Sequence, residues 1–134
     1  MPTLTRWFVK SSFVYLVLGL VIGVWQQVPE AALPGLFPIY LHLLTFGWLT
    51  QLIFGIAFWM FPKHSAEHPR GYEWLGWTAF TCMNLGLFLR AVFEPLHSGS
   101  PSTLGGWMLV AAAVLQWAAG LAFLANSWPR VKVK

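Results

Sequence analysis

Four apolar runs divide the chain, at about 7–25, 37–61, 72–93 and 104–128, each set off by a short polar stretch. A helix rises about 1.5 Å per residue, so each run of about 20 residues is long enough to cross a hydrocarbon core about 30 Å thick. Helix breakers mark the gaps. Pro29 and Pro34 lie in the first, Pro62, Pro69 and Gly71 in the second, and Pro95, Gly99 and Pro101 in the third. Pro129 closes the last run, and the stretch from Glu94 to Thr103 reads as loop throughout. Arg6 and Lys10 flank the first run as they would a signal peptide. That run ends in Trp25-Gln26-Gln27 rather than in small residues, so a retained helix is expected. The pattern predicts an all-α protein: one transmembrane domain over 1–134, an antiparallel four-helix bundle running up-down-up-down.

Composition strengthens this reading. The chain is 57% hydrophobic and 9% charged, against about 25% charged in soluble domains, and its mean hydropathy is +0.64. Trp7, Trp25, Trp59, Trp74, Trp107 and Trp128 lie near the ends of apolar runs, as in an interfacial aromatic belt. Outside the helices, Lys and Arg fall in the N-terminal flank (Arg6, Lys10), the middle loop (Lys63, Arg70) and the tail (Arg130, Lys132, Lys134), with none in the other two loops. The positive-inside rule then puts both termini and the middle loop in the cytoplasm, with a bacterial inner membrane as the expected location. The net charge of +4 resides at these membrane flanks and forms no stripe suited to nucleic acid. Cys82 is the single cysteine, which excludes an internal disulfide and a CxxCH haem attachment. No acidic residue lies mid-membrane and no helix carries a ring of charge, against a proton pump and a channel.

The candidate chemistry centres on His42, inside the second run. A titratable ring there is costly, so it points to a functional site. Regular helical spacing puts Thr45, Phe46, Leu49, Ile53 and Met60 on the His42 side, an apolar and aromatic wall suited to a flat cofactor such as haem. The bland alternative is a histidine hydrogen-bonded to a neighbouring helix or to interfacial water. Gly47, Gln51 and Gly55 share a different side, expected to pack closely on a neighbour. Gly19 and Gly23 form a GxxxG step, read as packing within the bundle, as a dimer contact or as room for a cofactor. Gln51, Asn84 and Gln116 are mid-membrane amides, expected to bond between helices. His64 and His68 lie four apart, a metal-like spacing only if that loop were helical.

The string His42-Leu-Leu-Thr-Phe-Gly47-Trp, with Gly55 and Met60-Phe-Pro62 after it, resembles the second helix of haem-copper oxidase subunit I, above all the cbb3-type, nitric-oxide-reductase and NnrS-like branches. The resemblance covers about 25 residues and implies that His42 is an axial ligand of a non-covalent b-type haem near the outer face. It also implies a role for Arg90 beside the haem propionates; the alternative is an intrahelical pair with Glu94. Ligands of the family's haem–copper centre lie on helices this chain lacks, so no stand-alone oxygen or nitric oxide reduction is expected. The family's second low-spin ligand is missing too, leaving His97, Met108 or the His42 of a second copy in a homodimer as candidates. The expected function is electron transfer or small-gas handling. The rival is a cofactor-free accessory or assembly subunit of a larger membrane respiratory complex.

Overall fold

The computed structural model describes residues 1–31 and 33–131. Within them the chain is helical, with four helices long and apolar enough to cross a membrane. Helix α1 is Thr3–Trp25, α2 is Leu36–Met60, α3 is Glu73–Gly99 and α4 is Thr103–Ser127, which runs on into a 3-10 turn, Trp128–Arg130. Lys132 and Lys134, both used in the charge argument, lie outside the described residues.

Packing is pairwise, α1 against α2 and α3 against α4, and glycines set the close approaches. A Cβ built at Gly19 would stand 2.7 Å from Leu44, one at Gly23 2.9 Å from Tyr40, one at Gly47 2.7 Å from Tyr15 and one at Gly55 2.7 Å from Phe8. The Gly19–Gly23 step is therefore filled by this chain's own α2, which removes it as a dimer surface. Stacked Phe54 and Phe123, with ring centroids 3.8 Å apart, tie α2 to α4. Two apolar clusters follow, one around Leu4, Phe8, Phe58 and Ala79, the other around Met83, Leu87 and Ala119.

Two local features depart from the sequence pattern. Helix α3 does not stop near residue 93 but continues through Pro95 to Gly99, correcting the loop expected from Glu94. The extension keeps Glu94 helical, one turn from Arg90 and paired with it, and brings the Glu94 carbonyl against Gly35, which sits at φ 79 where any Cβ would meet that oxygen at 2.8 Å. Helix α2 is not a uniform α-helix either: Leu43–Thr50 forms a π-helix immediately after His42. Thr45 Oγ1 donates to the Leu41 carbonyl at 2.7 Å, competing with the backbone N–H that would close the α-helical turn there. The wider i→i+5 turn changes the phase of every later side chain.

At the opposite end of α2 the chain is pinned by Arg130. The residue is 1% exposed, and its guanidinium donates to the carbonyls of Phe58, Phe61, Pro62 and Arg70 at 2.9, 2.9, 3.1 and 3.3 Å. A cation on the last carbonyls of a helix satisfies acceptors that have no partner within it. Asn126 completes the join: its Oδ1 accepts from the Tyr72 backbone N–H at 2.8 Å and its Nδ2 donates to the Arg70 carbonyl. Arg70 also shares a cavity with Met1–Leu4, Glu73 and Trp77, so the N-terminus, the 61–72 loop and the end of α4 meet at one end of the molecule.

Candidate functional site

A groove of about 490 Å³ runs between α2, α3 and α4, lined by His42 and Phe46, by Arg90, and by Gln116, Trp117 and Gly120 with their α4 neighbours. Its size falls within the range of about 300–1,000 Å³ typical of small-molecule and cofactor sites. Trp117 is 67% exposed at its edge, so the groove opens toward the membrane face of α4.

His42 is held from below by its own helix. Its Nδ1 lies 2.8 Å from the Pro38 carbonyl. A carbonyl only accepts, so Nδ1 carries the proton, and in the neutral ring Nε2 keeps its lone pair. Metal-ligating histidines are held in this way, one nitrogen bonded to a carbonyl and the other free to ligate. The ring stacks on Phe46, one turn later, at 5.7 Å and 12°.

Arg90 gives one terminal nitrogen to Glu94 at 2.8 Å, while its Nε is buried with no hydrogen-bond partner. Gln116 is 6% exposed and its Nε2 is likewise buried and unpartnered. Most buried donors in folded proteins are bonded, so two idle ones on a single groove mark it out. The contrast within the bundle is sharp. Gln51 and Asn84 bond each other at 3.3 Å, and Tyr15 donates to Asn84 at 2.8 Å, as expected of mid-membrane amides; Gln116 does not follow them.

Gly120 adds a third observation. It lines the groove, and a Cβ built there would meet nothing within 4 Å. Every other α-helical glycine of the chain has a neighbour within 4 Å of that position. Glycine inside a helix costs about 0.5–1 kcal/mol relative to alanine, and nothing in this chain's packing requires it at 120.

Comparison of the chain with protein-family models, with curated proteins and with solved structures gives no match.

Of the residues singled out from sequence, His42, Phe46 and Arg90 come together on this groove. Thr45 and Leu49 are exposed and do not line it, nor do Ile53 and Met60. The π-turn explains the difference: spacing counted at 3.6 residues per turn fails beyond Leu43. His97 sits in the turn before α4, where its Nδ1 accepts from the Ser102 N–H at 3.3 Å and Ser102 in turn caps α4 through Gly105 at 3.0 Å. Neither His97 nor Met108 lines the groove. His64 and His68 flank Tyr72 at ring distances of 6.4 and 5.4 Å in a non-helical loop. Among the described residues no group of three or more His, Cys, Asp or Glu is placed to hold a metal ion, but a haem iron takes only one or two protein ligands. The sequence singled out Gln116 only as an interhelical amide and gave no role to Trp117 or Gly120; an amide and a glycine one turn apart in an alanine-rich helix were the available signal.

Proposed function

We propose that this protein is an integral membrane b-type haem protein, with the haem held non-covalently in the His42 groove. Its helices run up-down-up-down across a bacterial inner membrane, both termini and the 61–72 loop in the cytoplasm. The observation that carries the reading is the meeting of three unused groups on one apolar groove: the free Nε2 of His42, the Arg90 Nε and the Gln116 Nε2. A flat ring with an iron at its centre and acidic side chains at its edge suits that set.

In this reading His42 would hold the iron, Phe46 and Trp117 would supply apolar surface, Gly120 would leave room and Arg90 would take an acidic edge of the group. The haem supplies one-electron redox and gas-binding chemistry at its iron. The groove lining holds no second His, Met or Cys, which favours small-gas binding over electron transfer between fixed ligands. A homodimer sharing one haem would supply a second His42 and restore the electron-transfer role. No stand-alone catalysis is proposed.

The groove's open side, at Trp117, Leu121 and Leu124, also suits a cofactor-free subunit docked in a larger respiratory complex. Absorption spectra of the detergent-purified protein, oxidised, reduced and with carbon monoxide, separate the two readings. A Soret band that shifts with carbon monoxide is expected. A colourless protein from cells with ample haem supports the cofactor-free subunit instead.

A further inference from the structure

Gln116 is the groove residue with an unused donor to which the haem reading has so far assigned no partner. Its position next to Arg90 can be read from Gly86. A Cβ built at Gly86 would stand 3.0 Å from Gln116 Cγ, so the amide lies across α3 at that level. Arg90 is four residues further along α3, a rise of about 6 Å. Arg90 and Gln116, each with a buried, unbonded N–H donor, are thus about one helical turn apart along α3 and line the same groove.

The groove lining contains no carboxylate, and Glu94 is engaged by the far end of the Arg90 guanidinium. Two donors without an acceptor, one of them cationic, call for an anionic oxygen ligand. An amide beside a guanidinium adds direction to the charge, since its N–H bonds only where an oxygen lone pair reaches it. We propose that Gln116 and Arg90 together form a two-donor seat for one carboxylate of the groove's ligand, and that Gln116 makes the groove prefer a ligand with an acidic edge. This rests on the haem reading and names the part of the haem that the protein selects.

The test titrates purified apo-protein in detergent with haemin and with haemin dimethyl ester, followed by Soret absorbance. Wild type binds haemin more tightly than the ester. Gln116→Met removes an unbonded amide at equal length, so the helices still pack. Haemin affinity then falls about tenfold, equivalent to about 1.4 kcal/mol, and ester affinity falls much less. Gln116→Glu sets a carboxylate against the acidic edge and reverses the preference toward the ester. Unchanged haemin affinity in Gln116→Met, or equal losses for haemin and ester, overturns the carboxylate seat while the haem site stands. Wild type that binds neither probe overturns both.

Discussion

The Nδ1 of His42 is 2.8 Å from the carbonyl oxygen of Pro38, one turn earlier on the same helix. A carbonyl only accepts, so the bond sets Nδ1 as its donor and leaves Nε2 outside it. His42→Ala should abolish haem binding while the helices still insert, because the ring lies at a groove edge and not in either apolar cluster. Haem content per protein, with circular dichroism as the control for folding, measures it. Unchanged occupancy would mean that His42 does not hold the haem.

Gly120 offers a test with opposite signs for fold and ligand. Gly120→Ala should stabilise the protein by about 0.5–1 kcal/mol, as helical alanine does over glycine where nothing clashes. Gly120→Phe should still fold, since a Cβ there meets open space, but should exclude haem. Thermal unfolding in detergent and the Soret absorbance report the two effects. A Gly120→Phe protein with full haem content would mean that the ligand lies elsewhere.

His97 is committed to the turn before α4. His97→Ala should therefore leave haem content and carbon monoxide binding as in wild type, with a small loss of stability of about 0.5–1.5 kcal/mol from the lost hydrogen bond. A change from a low-spin to a high-spin spectrum in this variant would instead make His97 the second axial ligand.

Arg130 ties four carbonyls at the end of α2 and in the adjoining loop. Arg130→Met keeps the length of the side chain and removes every donor, leaving those oxygens without it. The expected loss is on the order of 3 kcal/mol, since hydrogen bonds to a charged group contribute more than neutral ones. Chemical unfolding in detergent measures it, and a loss below about 0.5 kcal/mol, the level of an ordinary surface change, would show that water replaces the guanidinium.

Topology is checked by Ser65→Cys in a Cys82→Ser background. A membrane-impermeant thiol reagent added to intact cells should leave residue 65 unlabelled, and opening the membrane should expose it. Labelling from outside would invert the orientation drawn from the basic residues.

The sequence alone determined the parts that depend on local composition. Hydrophobic length placed all four helices and breakers marked the first two gaps, but Pro95 did not end α3, which runs on to Gly99; basic residues gathered at the end where the N-terminus, the 61–72 loop and Arg130 meet. Those signals are written into consecutive residues. His42 was also legible, since a lone titratable ring in an apolar run needs no partner to be conspicuous. Tertiary structure decided what meets His42. The wall expected from Thr45 and Leu49 lost its phase at the π-helix of Leu43–Thr50, and the opposite wall came from α4, where Gln116 and Gly120 stand out in sequence only as an amide and a glycine one turn apart and nothing in consecutive residues ties them to His42. Arg130 read as one more tail charge until the fold set it against the carbonyls of α2. Helix formation is governed by hydrogen bonds within about five residues. A groove depends instead on which faces of distant helices come together, and that is fixed by the packing of the whole chain.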